Sequence, residues 1–364
     1  PYTTLFRSKG RIPADAAEFI GADGTWEETF GFYAAEFFTA YHIAHYIDDI
    51  AEAGKRVLDL PMYINVWLGE MYAHIPGTNY PSGGAVTKTF RFWKHLLKHV
   101  DAIAPDIYVS DYREVEELFR TYSGEGNIFH LPESSPMPLS MTNSMRAVAE
   151  YGLTGVHTFG IDILSAAADR AALCTMAASG AEGAKKSALL REIADSYTIL
   201  RHSKHLIEKY QGTGRLYAVA QYEGAANQVF DFGSYIGEIE FLNMESAPIN
   251  GGNVRRMDNR HMASSYDGYR AKGFIVDAGN GEFYLTGDAY KLRLYPKFSL
   301  EELTSAVHAG DFLNTRSQGY LSVTEGEFTA DGEYKVNIIR NGDEYDYGLW
   351  VTSDIGVLRV RMDR

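Results

Sequence analysis

Between Ala34 and about Tyr210 the apolar positions alternate between helical and strand spacing. Phe37, Ala40, Tyr41, Ala44, Ile47, Ile50 and Ala51 share one helical face, and Gly54 is expected to end that helix. The apolar run at 61–68 (PMYINVWL) predicts a buried strand. Phe90, Trp93, Leu97 and Val100 mark a second helix, residues 106–109 a second strand, and a charged helix runs from Arg113 to Tyr122. A third strand is predicted at 127–131, a helix near 142–151 and a fourth strand at 155–159. An Ala-rich helix at 166–184 and a long helix through Leu189, Ile193, Leu200, Ile207 and Tyr210 complete this part. Strands apolar on both faces, alternating with helices, imply a parallel sheet covered by helices. About four such units do not close an eight-stranded barrel. They fit either a small doubly wound sheet or the second half of a barrel.

After Gly212 and Gly214 the pattern becomes one of short strands. These are predicted at 216–222, 228–241, 273–276, 282–286, 290–295, 334–339 and 357–362, with Gly279-Asn280-Gly281 as a hairpin turn. The polar stretch from Asn243 to Ala263 reads as a long loop. An all-β domain, sandwich or open barrel, is expected over about 213–364.

Charge narrows the partners. Lys plus Arg number 34 and Asp plus Glu 48, a net charge of −14. Nucleic acids and anionic membranes are polyanions, so neither is expected as a partner. No run approaches the roughly 18 apolar residues of a membrane span. The single cysteine, Cys174, excludes an intrachain disulfide. Aromatic residues reach 13%. Flat apolar faces with polar tips suit sugar binding, although a β-rich core uses the same residues. Residues 1–23 read as a tag, a cloning artefact or the cut edge of a longer protein, and the compartment stays open.

Most short motifs are weak. Gly180-x-x-Gly183-x-Lys185-Lys186-Ser187 lacks the spacing of a phosphate loop. His95 and His99 share a helical face but have no third zinc ligand in sequence, and no metal or other cofactor is expected. No G-x-S-x-G hydrolase elbow occurs. The informative positions are the C-terminal ends of the strands, where β/α enzymes place their chemistry. These carry Asn65 and Trp67, the loop with Asn79 and Tyr80, then Tyr108, Glu133, His157 and Asp162. Glu133, just past an apolar strand and held by Pro132, is placed for nucleophilic or acid–base work.

Several stretches together resemble a bacterial subgroup of glycoside hydrolase family 35. They are GTWEETFG (24–31), LPMYINVWLG (60–69), NYPSGG (79–84), APDIY (104–108), FHLPES (129–134) and FGID (159–162). VTEGEFTADGEY (323–334) and IIRNGDEYDYGLW (338–350) are similar to the closing motifs of that subgroup's β-rich domain. The resemblance implies a retaining β-galactosidase acting on terminal β-galactosides by double displacement. Residues 24–212 would be the C-terminal half of its (β/α)8 TIM barrel, and 213–364 the all-β domain. The family's nucleophile lies in an (I/L)-P-E context, which maps onto Glu133. Its acid/base lies in an Asn-Glu motif that this sequence lacks, so that half is expected outside the chain and the chain alone is expected to be inactive on lactose. Trp67 or Tyr80 would stack on the sugar, Asn65 and Asn79 would read hydroxyls, Tyr108 would hydrogen-bond Glu133, and His157 would line the substrate site. Open sheet edges would favour self-association. The alternative is a non-catalytic carbohydrate-binding or assembly protein in which the β domain does the work.

Overall fold

A computed structural model of the chain describes residues 10–69, 75–109, 111–161, 182–222, 225, 227–242, 270–297, 319–345 and 348–363. Asp162, Cys174, the alanine-rich stretch up to 181 and the 243–263 loop lie outside them. The chain forms two compact units. One comprises residues 1–135 with 153–159, the other 136–152 with 160–364.

The first unit opens with α1 (Ala14–Ile20), α2 (Trp26–Phe30) and α3 (Ala34–Val57). A capping box starts α2: the Thr25 hydroxyl accepts from the Glu28 N–H, and the Glu28 carboxylate accepts from the Thr25 N–H. Then β1 (Tyr63–Val66), α4 (Phe90–Leu96), β2 (Ala102–Ile107), α5 (Tyr112–Tyr122), β3 (Leu131–Ser134) and β4 (Val156–Thr158) follow. The strands form a parallel sheet in the order β1-β2-β3-β4.

Several bounds differ from the sequence reading: the second strand spans Ala102–Ile107 rather than 106–109, and the second helix ends at Leu96, short of Val100. Helix α3 runs through Gly54 to Val57. A Cβ at Gly54 would come within 2.8 Å of Met62 Cε, so this glycine makes room for Met62 rather than ending the helix. The third strand begins at Leu131, not near 127, because the Asn127 side chain takes the place of a strand neighbour. Its Oδ1 accepts from the Ile103 N–H at 2.9 Å and its Nδ2 donates to Ile103 O at 2.9 Å. Glu133 therefore lies within the strand rather than beyond it.

The second unit contains α6 (Pro138–Tyr151), α7 (Glu182–Tyr210) and two antiparallel sheets. One is β13 (Leu349–Val351), β10 (Tyr290–Pro296), β7 (Tyr235–Phe241) and β6 (Asn227–Asp231), in that order. The other runs β12 (Tyr334–Ile339), β11 (Tyr320–Phe328), β14 (Val357–Met362), β9 (Glu282–Asp288), β8 (Lys272–Gly279) and β5 (Leu216–Ala220). Ile239, Phe241, Leu292 and Leu349 from the first meet Phe283, Leu285, Leu358 and Val360 from the second in one core. This is the face-to-face packing of a sandwich. Helices α6 and α7 cover β5, β8 and β9 from the other side. Strands β8 and β9 are thus buried on both faces, which explains the unbroken apolar run Phe274-Ile275-Val276. The Gly279-Asn280-Gly281 turn joins them, with Asn280 and Gly281 both at positive φ (56° and 76°). The stretch at 228–241, read as one strand, is a hairpin of β6 and β7.

Candidate active site

Strand alternation in β1 sends Val66 into the core and turns Tyr63 and Asn65 outward, and Trp67 beyond the strand continues that outward series at 59% exposure. On β2, Asp106 falls on this outward face, two residues before Tyr108. Asp106 is also the register partner of Glu133 on β3. The outward face of the parallel sheet thus gathers Asn65, Asp106, Tyr108 and Glu133, while Ile103 and Ile107, on the other face of β2, are buried.

Direct bonds tie the four into two pairs. Tyr108 Oη donates to Glu133 Oε1. Asn65 Nδ2 reaches both Asp106 oxygens, at 2.7 and 2.8 Å. Burial, with the Glu133 carboxylate second, pushes the Asp106 carboxyl up to about 6, although the Asn65 bond opposes this. Two carboxyls side by side resist double ionisation. Burial, the bond to Glu133 and its charge raise the Tyr108 hydroxyl, which therefore stays a donor at ordinary pH.

His157 sits on β4 with Nδ1 2.9 Å from Leu131 O, and its ring lies 5.0 Å from that of His130. Burial, then the His157 charge, lowers the His130 imidazole. Phe159 lies 57% exposed just past β4, its ring 6.2 Å from Tyr108.

Tyr80 is placed otherwise than the sequence reading expected. Tyr80 is only 4% exposed, and its ring packs where a Cβ on Gly69 would meet it at 3.0 Å. Its hydroxyl donates to Glu36 Oε1 at 2.6 Å, and Lys88 Nζ donates to Glu36 Oε2 at 2.6 Å. A tyrosine so enclosed offers no stacking face. Asn79 lies in the adjacent turn, its N–H donating to Ile75 O at 3.0 Å.

The His95 and His99 pair is held by neighbouring side chains, and the Gly180 motif lies partly outside the described residues. His99 Nδ1 lies 3.0 Å from Asp48 Oδ2, and the His95 ring stacks on Phe19 at 4.8 Å. Among the described residues no three His, Cys, Asp or Glu side chains gather as a metal ion would need, and no helix is long and apolar enough to cross a membrane.

Asp106 is the residue that sequence reasoning missed. The signal was present: Asp106 and Tyr108 are spaced i, i+2 in a strand, which puts both on one face. Residues 193–352 match a family described as a domain of unknown function (DUF5597). No curated protein matches the chain.

Proposed function

We propose that the parallel-sheet unit carries the nucleophile side of a retaining glycoside hydrolase acting on β-galactosides, with Glu133 as the nucleophile. The observation that carries this reading is the Tyr108 hydrogen bond to Glu133 on an open sheet face. A hydroxyl that donates to one carboxylate oxygen fixes its rotamer and stabilises its charge. The other oxygen then attacks the anomeric carbon, the aglycone leaves with the bonding electron pair, and a glycosyl ester forms. Water later cleaves that ester. The sequential β1-β2-β3-β4 order supports an arc of a (β/α)8 barrel. Asn65 and Asp106 together offer amide donors and carboxylate acceptors to sugar hydroxyls, and Trp67 offers a flat apolar face.

A retaining mechanism also needs an acid/base carboxyl roughly 5–5.5 Å from the nucleophile. The resemblance places that group in an Asn-Glu motif, which this sequence lacks. An activated leaving group needs little protonation, so the first step can be read without it. The test is to incubate the chain with a 2-deoxy-2-fluoro-β-galactoside bearing a dinitrophenolate. Mass spectrometry should find one fluorogalactosyl ester, on Glu133, and none on Glu133→Gln. Esterification elsewhere, or none at all, would overturn the assignment.

A further inference from the structure

Within the second unit, α7 and the six-stranded sheet enclose an open pocket of about 300 Å³, at the lower end of the range for ligand sites. We propose that this pocket binds one ring of a neutral saccharide, as a site of its own within the domain of unknown function. The proposal uses residues of this unit alone and stands whether or not Glu133 is a nucleophile.

The sheet supplies an aromatic wall. Tyr284 and Phe328 lie 5.7 Å apart at 44°, and the Tyr334 ring stands 5.5 Å from Phe328. The wall is braced from within the sheet. Tyr284 Oη donates to Glu282 Oε1 at 2.7 Å, and Arg359 Nη2 donates to Glu282 Oε2 at 2.8 Å. The Arg359 guanidinium also lies 5.9 Å from the Tyr284 ring centre and 5.7 Å from that of Tyr334. Rings already fixed lose little freedom on binding, so their contact area converts efficiently into affinity.

The last turns of α7 supply the polar side. His205 lies beside Phe328, ring centres 5.8 Å apart, and Glu208 and Lys209 complete the lining. The ion pairs of Glu208 are long, 3.5 Å to His205 Nδ1 and 3.8 Å to Lys204 Nζ, beyond strong hydrogen-bond range. Its carboxylate keeps capacity to accept from hydroxyls. Gly332 lines the same pocket, and a Cβ there would meet His205 Nδ1 at 3.6 Å, so its lack of a side chain keeps the space open.

This pairing selects the ligand class. The C–H face of a pyranose lies flat on an aromatic ring, while its hydroxyls at the edge both donate and accept. A carboxylate, an ammonium and an imidazole side by side match hydroxyls of either sense. The charges of Glu208 and Lys209 offset each other, so a charged ligand gains no overall attraction there.

Saturation-transfer NMR on the intact chain tests this, with lactose and galactose as probes and galacturonate and galactosamine as charged controls. The neutral sugars should bind with roughly millimolar affinity. Phe328→Leu removes the flat face while keeping an apolar side chain. Gly332→Asn keeps the left-handed turn, which Asn tolerates, and fills the space. Each should weaken binding about tenfold or more, with a melting curve showing that the chain still folds. All of these measurements are made in a Trp67→Ala background, so that sugar held near Glu133 adds little to the signal. Should Phe328→Leu fail to fold, Gly332→Asn decides alone. No transfer from either neutral sugar, tighter binding of a charged control, or binding indifferent to the pocket variants would each overturn the proposal.

Discussion

One pair of charged groups in each unit shows two opposite uses of charge. In the β unit, Lys272 and Glu192 are 0% and 1% exposed, and the Lys272 ammonium donates to Glu192 Oε1 between the six-stranded sheet and α7. Burial still raises the Glu192 carboxyl, with Lys272 opposing it. The pair is a closed matter between two elements of one unit. In the parallel-sheet unit, Asp106 and Glu133 have like charge and stand side by side on an open face. Packing a core does not require that arrangement. A fold tolerates such a cost where the groups serve a ligand, and residues that serve ligands are often poor for stability. The lesson is that removal should be harmful at the Lys272–Glu192 pair and harmless or helpful at Asp106.

Four measurements would break or sharpen that contrast. The largest effect is expected on cutting the chain at 212. Residues 213–364 alone lack α6 and α7, so the outer faces of β5, β8 and β9 meet water. That fragment should aggregate and show no cooperative melting transition; a soluble fragment with a sharp transition would show that the helices are dispensable. Next comes Lys272→Met, which leaves Glu192 buried without its cation and should cost about 3–5 kcal/mol in urea unfolding. The double variant Lys272→Met, Glu192→Leu should recover most of that loss.

In the first unit Asp106→Asn should act with the opposite sign. The folded-state value of Asp106 is about 6 against an ordinary 3.8, so the folded chain holds this proton more tightly than the unfolded one. Folding therefore bears a cost above pH 6 that fades as pH falls towards 4. Asp106→Asn should gain about 1–2 kcal/mol at pH 7–8, after discounting for solvent screening at a half-buried site, and nothing below pH 4. Destabilisation at pH 8 would show that the Asn65–Asp106 bond outweighs the charge. The smallest effect is expected for Trp67→Ala, within about 0.5 kcal/mol, because the ring is largely in solvent. A larger loss would mean that Trp67 packs as a structural residue.

Alternation of helix and strand was legible because it is written in local spacing. Strands β12 and β14 were read at their observed limits, 334–339 and 357–362. Element ends were less so, since long-range partners set them: Met62 explains Gly54, and Ile103 explains Asn127. Strand β11 went unread because its residues, Tyr320 to Phe328, carry Ser, Thr, Glu and Gly among few apolar positions, and it is its partners β12 and β14 that make it a strand. At the site, Glu133 and Tyr108 were both visible as residues beside strand ends. Tyr80 was misplaced because its aromatic character says nothing of Glu36, 44 positions earlier, which holds its hydroxyl.

Helix α6 has a consequence for how the chain is made. It lies in sequence between β3 and β4 of the first unit, yet it belongs to the second and packs on β5, which begins at Leu216. During synthesis the ribosome delivers α6 well before the strand that will cover it. At roughly 5–20 residues per second the wait lasts several seconds, long compared with helix formation. Met141, Met145 and Val148, all buried in the finished protein, would meanwhile face solvent or a chaperone. Strand β4, the last of the first unit, follows soon after this borrowed helix, so all of the first unit is delivered while α6 still waits for β5. A pause between codons 160 and 216 would lengthen that exposure of α6, while the first unit already has all of its residues.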